Sequence, residues 1–356
     1  MDHSGRFNKV RAAIGGADVD ALLVTNLTNV RYLTGFSGTN GQVLVKSDRS
    51  IFFTDPRYEA RAADLVQGAD TVIYSNKLTD VLADHLDGTR RLGVEAATLT
   101  LAEHSELDGG LDGVDLVATK GVVEDIRRIK EPAEIELMRE AVEVGDAAFD
   151  WVRDRLVPGV SEREIGLDLE VRMRRRGADE IGFDPIVGSG PLSAHIHHTP
   201  SERAFEKGDL VLLDFGASVG GYRSDLTRTV VLGHATDEQR AIYDIVLEAQ
   251  RRGIAAIRHG AAGKDVDAAA RDYITEVGHG DDFGHGLGHG VGLDIHEAPR
   301  LSRFSEHELS AGEVVTVEPG IYVRGSGGIR IEDCVLVTSD GAEVLGRAPK
   351  DRLIEL

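Results

Sequence analysis

The chain has 356 residues, 41% of them hydrophobic, and a formal net charge of −21. Such a length predicts about two domains with a true core, and the acidic balance argues against a nucleic-acid partner. No apolar run reaches the ~18 residues of a membrane span, the N-terminus MDHSGRFNKVRAAIGG lacks an apolar signal-peptide core, and the single cysteine, Cys334, excludes an internal disulfide framework and fits a reducing, cytoplasmic interior.

Residues 1–121 read as an α/β domain. A first helix closes over residues 10–17, followed by a buried strand at 21–25 (ALLVT) and a helical turn or loop at 29–35. Gln42–Lys46 and Ser50–Thr54 pair as a hairpin across residues 47–49. Pro56 opens a helix over residues 57–66 at a favoured first-turn position. A strand at 71–75, a helix at 78–86 and strands at 91–94 and 116–118 continue the alternation. No Gly-rich phosphate loop follows any strand, so no nucleotide site is expected. The polar segment Asp55-Pro56-Arg57-Tyr58 reads as a helix cap before it reads as a ligand contact.

The charged run 120–130 breaks the pattern and Pro132 restarts it, which puts a domain boundary near Gly121. Residues 131–156 form a long amphipathic helix, with Ile135, Met138, Val142 and Phe149 at helical spacing. From here the chain repeats itself. A helix over 162–176, Gly177 and a strand at 186–187 precede a hairpin of 210–217 with 222–232. A helix over 238–258, a second over 265–277 and Gly278 precede a hairpin of 314–323 with 328–337. This is a duplicated helix–helix–strand–hairpin unit, and two halves related by a pseudo-twofold would bury one shared site.

Within the second half, after Gly278, lies FGHGLGHGVGLDIHE, residues 283–297, with His285, His289 and His296 set among glycines. Glycine at this density costs backbone entropy and implies close passage past something compact. Leu287, Val291, Leu293 and Ile295 alternate through the stretch, which predicts a buried strand rather than a flexible Gly/His loop. Each hairpin carries two acids in strands of Val, Leu and Ile: Asp214 and Asp225 in the first, Glu318 and Glu332 in the second. One buried acid is explained by protonation or an ion pair, but four in matching hairpins beside a Gly-flanked histidine point to metal. Hard oxygens with one imidazole suit Mn²⁺, Co²⁺ or Zn²⁺. Four carboxylates roughly balance two divalent ions, which at ~3.5–4 Å separation can activate water and clamp a hydrolytic transition state.

In the motifs DFGA, SDLTRT, GHGVG, VEPG and IRIED, with intervals of 11, 64, 29 and 14 residues between the five candidate ligands, the chain resembles the Xaa-Pro peptidases. These are pita-bread relatives of methionine aminopeptidase, and the resemblance covers nearly the whole chain. It implies an N-terminal creatinase-type domain over 1–121 and an α+β pita-bread catalytic domain over 122–356. It also implies two divalent metal ions, Mn²⁺ foremost, and a homodimer. By position, Asp225 would bind one metal, His289 and Glu318 the other, and Asp214 and Glu332 would bridge them. Glu318 would also be the general base, His197 and His296 would stabilise the substrate carbonyl or the tetrahedral species, and His285, Tyr322 and Arg330 would line or orient the substrate pocket. The family's usual proline before the first of these histidines is Ile196 here, and spacing from Ser189-Gly190 selects His197 over His195 and His198.

A peptide bond before proline has no N–H, and a site that polarises the carbonyl does not need one. The N-terminal strings NVRYLTGFSGTNG and FFTDPRY resemble the aminopeptidase P branch and its prolidase-like relatives. The resulting expectation is an Xaa-Pro aminopeptidase, with an Xaa-Pro dipeptidase as the alternative. A metal-free creatinase-type hydrolase and a non-catalytic binding module are disfavoured, because all five ligand positions are filled. The eight lysines leave 32 of 40 basic residues as Arg. An acidic, Lys-poor surface suggests a halophilic cytoplasm, where salt screens self-repulsion; ordinary acidity with a GC-rich genome is the alternative.

Overall fold

The computed structural model describes residues 1–356, which divide between Arg127 and Arg128 into two compact units. The division falls beyond the expected point near Gly121. The helix Glu124–Arg127 goes with the first unit because Arg127 donates to Asn29 Oδ1 at 2.7 Å and Glu124 Oε1 accepts from Asn29 Nδ2 at 2.7 Å.

The first unit is built on one six-stranded sheet. Its spatial order is Asp70–Ile73, Ser50–Thr54, Gln42–Lys46, Ala21–Val24, Arg91–Glu95, Asp115–Thr119. The hairpin pairs antiparallel as expected, and the last three strands run parallel. Ala21–Val24 is buried at every residue, so its sequence is a continuous apolar run rather than an alternating one. Residues read as a turn or loop form the helix Leu27–Thr34, capped by the Asn26 side chain on Thr28 N at 2.9 Å and ended by Gly35 at φ +82°. The segment after Pro56 opens as the 3₁₀ turn Pro56–Tyr58, with Asp55 capping Arg57 N, and continues as the helix Glu59–Leu65. Asp55 is therefore a cap.

The second unit holds two helix–helix–sheet halves in sequence. In the first, helices Pro132–Val152 and Glu162–Arg175 cover a sheet ordered Ile354–Glu355, Leu226–Val231, Leu210–Phe215, Ile186–Ser189. In the second, helices Asp237–Ala256 and Gly263–Glu276 cover a sheet ordered Glu297–Leu301, Gly288–Gly290, Val314–Val317, Asp333–Val337, Ala342–Val344. Each helix pair buries its apolar stripe on its own sheet. Ala148, Phe149, Ile165 and Leu169 meet Val211, Leu213 and Phe215. Val246, Ala249, Val266 and Ala270 meet Val315, Val317 and Val335. Full burial of such a side chain contributes ~1.5–3 kcal/mol, so these stripes supply most of the driving force.

The two sheets join along one seam. Glu332 N, just ahead of Asp333–Val337, donates to Thr227 O at 3.1 Å, and a separate two-stranded ribbon, Gly320–Val323 with Gly327–Arg330, meets the first sheet beside it, Arg330 N donating to Thr229 Oγ at 3.2 Å. The Gly/His stretch departs from the expectation of a strand. Within it Gly288–Gly290 pairs as a strand against Glu297–Leu301, which begins at the last residue of the stretch, and the register shifts between His289 and Gly290. Leu287, Val291 and Leu293 are buried, while Ile295 is only partly so. The glycines serve close approach rather than extended pairing: a Cβ on Gly288 would stand 1.9 Å from Thr316 O.

Candidate metal centre

The seam opens into a cavity of about 560 Å³. Its wall includes His197, Asp214, Asp225, His285, His289, His296, Glu318, Arg330 and Glu332, and thus nine of the ten sequence-predicted site residues. Tyr322, the tenth, stands behind the wall, so it is not itself a substrate contact. Its hydroxyl accepts from Arg330 Nη1 at 2.8 Å and lies 2.9 Å from His285 Nε2.

Sheet geometry places the acids. Asp214, next to last in Leu210–Phe215, stands opposite Thr227, and Asp225 precedes that partner strand. Glu318 follows Val314–Val317, and Glu332 precedes Asp333–Val337. Each hairpin therefore aims its two carboxylates at the seam. Asp214, Asp225 and Glu332 are buried, and the Glu318 side chain keeps 17% of its surface, facing the cavity. Atoms of Asp225, His289 and Glu332 capable of binding metal lie within 4.8 Å of one another. His289 Nε2 is 3.6 Å from Asp225 Oδ2 and 3.4 Å from Glu318 Oε1.

The hydrogen bonds define what each group still offers. His289 Nδ1 lies 3.0 Å from Gly290 O, which can only accept; the proton is therefore assigned to Nδ1 and Nε2 keeps a lone pair aimed at the acids. Burial pushes this imidazole down to about 3, so it is neutral. His285 is likewise pushed down to about 4, chiefly by burial, and both its ring nitrogens are engaged, by Gly286 O and the Tyr322 hydroxyl. It forms wall rather than a polar hand. Glu332 Oε2 accepts from Thr227 Oγ at 2.6 Å, and Asp214 Oδ2 accepts from Arg330 Nη2 at 2.5 Å. Asp214 Oδ1 is buried with no hydrogen-bond partner. His296 is exposed to the cavity and packs edge-on against His289 at 4.4 Å between ring centres. His197 is exposed to the cavity.

Electrostatically the centre is unbalanced. Burial, and then the charges of Asp214 and Glu318, hold the Asp225 carboxyl well above its usual range. Burial, and then Asp225 and Glu318, do the same for Glu332. Burial raises Glu318 to about 7. Four carboxylates face two guanidiniums, Arg330 bonded to Asp214 and Arg300 farther along the wall, which still leaves a deficit of positive charge in a poorly solvated site. An orphaned carboxylate oxygen, an imidazole lone pair and excess negative charge together fit divalent metal ions with oxygen-rich coordination. Nearby, Arg300 of Glu297–Leu301 also lines the cavity, and its guanidinium has no hydrogen-bond or ion-pair partner in the protein. Sequence reasoning passed over Arg300, whose string EAPRL has no motif character; its one signal is a cation four residues past His296, too slight to single it out.

Comparison with known proteins agrees with this architecture. The family described as Metallopeptidase family M24 matches residues 136–339, and the Creatinase/Prolidase N-terminal domain matches residues 6–129. An Xaa-Pro dipeptidase of Pyrococcus furiosus is 37% identical over 349 residues, spanning 98% of this chain and 99% of its own. Among solved structures, an Xaa-Pro dipeptidase from Bacillus anthracis superposes with a TM-score of 0.97 at 44% identity, covering 99% of this chain and all of that one. An X-Pro aminopeptidase from Thermotoga maritima gives 0.90 at 33%, covering 97% and 100%.

Proposed function

The chain belongs to metallopeptidase family M24, with a creatinase/prolidase N-terminal domain ahead of a pita-bread catalytic domain, and from that premise we propose that it is an Xaa-Pro dipeptidase. The sequence alone put an aminopeptidase first. Two considerations reverse that order. The dipeptidases described above are the more similar relatives, at 37% and 44% identity against 33% for the aminopeptidase. The observation that carries the reading is Arg300, an unpaired guanidinium on the wall of the carboxylate cavity. A dipeptide ends in a carboxylate one residue past the scissile bond, and a planar guanidinium is the side chain best shaped to hold it.

Asp214, Asp225, His289, Glu318 and Glu332 would hold two divalent ions, Mn²⁺ foremost, with Co²⁺ or Zn²⁺ as alternatives. Bound there, such ions supply Lewis-acid polarisation and lower the pKa of water. The protein's own groups do the rest. Glu318, enclosed and pushed up to about 7, takes a proton from the attacking water on a carboxylate oxygen and returns it to the proline nitrogen as the C–N bond breaks. His197 and His296 face the cavity as donors to the carbonyl oxygen as charge develops there. Arg330, through Tyr322, fixes the wall at His285. A cytoplasmic homodimer accompanies this reading; sedimentation of the purified protein tests the dimer.

The test is hydrolysis of Ala-Pro against Ala-Pro-Gly by the metal-loaded enzyme. Cleavage of the dipeptide alone, abolished by chelation, supports the proposal. Comparable cleavage of the tripeptide returns the aminopeptidase reading. Arg300→Ala should raise KM for Ala-Pro and leave KM for Ala-Pro-amide, which lacks the carboxylate, unchanged.

A further inference from the structure

One buried carboxylate outside the centre takes no part in the chemistry above. Glu162 is the first residue of the helix Glu162–Arg175 and has no exposed surface. Its Oε1 accepts from Ser189 N at 2.8 Å and Ser189 Oγ at 2.7 Å. Its Oε2 accepts from Ser201 N at 3.0 Å, Ser201 Oγ at 2.6 Å and His198 Nε2 at 2.8 Å. Ser189 ends the strand Ile186–Ser189, and Ser201 follows Pro200. One carboxylate therefore ties both ends of the segment 190–200, and His198, beside His197, is a second tie near the far end. Arg203 reinforces the first end, donating to Ser189 Oγ at 2.7 Å and pairing with Asp209. The segment bounds the cavity with Ile196, His197, His198, Thr199 and Pro200. His197 is exposed to the cavity and has no hydrogen-bond partner in the protein to aim it.

We propose that Glu162 is a positioning residue of the reaction: its carboxylate clasps the segment 190–200 at both ends and, through His198, sets where His197 stands in the cavity. Five donors converging on two oxygens require a carboxylate, because an amide offers one acceptor oxygen and would turn N–H groups toward either the Ser189 or the Ser201 amide. The clasp also explains the adjacent histidines: His198 turns inward to Glu162 while His197 faces the cavity.

The experiment uses the metal-loaded full chain and Ala-Pro as substrate. Glu162→Gln is expected to lower kcat roughly 10–100-fold, the scale of a misplaced catalytic group, with bound metal and KM changed by less than about twofold. In a His197→Ala background the same substitution should cost almost nothing further, because its effect runs through His197. An unchanged kcat, or an equal loss with and without His197, overturns the proposal. If Glu162→Gln does not fold, Ser201→Ala and His198→Ala each remove one contact and are read by the same cycle. The kinetic arm rests on the dipeptidase reading. Amide exchange of residues 190–200 does not: faster exchange in Glu162→Gln supports the clasp even if neither peptide is cleaved, and unchanged exchange overturns it whatever the activity.

Discussion

Replacing Glu318 by Gln should damage the enzyme and strengthen the metal-free fold at once. Burial raises this carboxyl from its ordinary 4.5 to about 7, with Asp214 adding to the rise and Arg330 opposing it. The folded chain therefore binds a proton more readily than the unfolded chain between those values. Stability falls as pH rises through that window and is flat above it. A displacement from 4.5 to about 7, at about 1.4 kcal/mol per pH unit, amounts to roughly 3 kcal/mol of destabilisation above pH 7. Gln keeps an oxygen to accept from Thr316 Oγ, which lies 3.2 Å from Glu318 Oε1, and removes the charge. Metal-free Glu318→Gln should then melt roughly 6–12 °C above the metal-free wild type at pH 8 and level with it at pH 4. Divalent metal should reverse the ranking, since ligands that bind only the folded state stabilise in proportion to affinity. Calorimetric scans of both chelated proteins across pH 4–8, with and without Mn²⁺, measure this. Parallel pH profiles for the two chelated proteins would refute the claim that the centre holds uncompensated charge.

The remaining predictions concern single positions. Asp225→Asn should lose bound metal by elemental analysis while far-UV circular dichroism stays native; full metal stoichiometry would remove Asp225 from the ligand set. His296→Ala should lower turnover of Ala-Pro about 10²-fold with metal retained, and near-normal turnover would take it out of the reaction. Gly288→Ala should destabilise by more than about 3 kcal/mol and weaken metal binding, because its Cβ would fall 1.9 Å from the backbone oxygen of Thr316 beside His289; a wild-type melting temperature would contradict the close approach.

The site was more legible than the backbone that carries it. Four acids in apolar strands announce themselves, because hydrophobic neighbours leave an ionised carboxylate only a few physical explanations. The hairpin Gln42–Lys46 with Ser50–Thr54 was equally plain, since its apolar runs flank a short polar turn. The helix Leu101–Gly110 was missed. It buries only Leu107 and so shows no periodicity, and its one mark is the Thr100–Glu103 capping box, with Glu103 N bonded to Thr100 Oγ at 3.2 Å. The Gly/His stretch misled in the opposite direction. Its alternation imitates a strand, but Leu287 and Val291 are buried by close backbone packing around a three-residue strand. Glu162 and Arg300 left no local pattern because their meaning lies in partners 27 to 39 residues away, or in having none.

The duplication explains why the centre lies on a seam. Thr227 and Asp214 belong to the first half, and Glu332 and Arg330 to the second. Thr227 Oγ donates to Glu332, Arg330 donates to Asp214, and the His289–Asp225 approach likewise crosses from one half to the other. Behind them Arg228 donates to Glu332 O at 2.6 Å and pairs with Asp333 at 2.7 Å, again across the seam and fully buried. Neither half alone can satisfy its acids. Each sheet could bury its apolar face against its own helices, but the carboxylates need cations from the other half or from solution. Metal held by both hairpins would therefore act on the junction as well as on the substrate, and the stability it adds should appear as resistance of the two halves to separating. Amide exchange of residues 225–231 and 329–335 should slow together when Mn²⁺ is added to the chelated protein; slowing on one side of the seam alone would show that the ions belong to a single half.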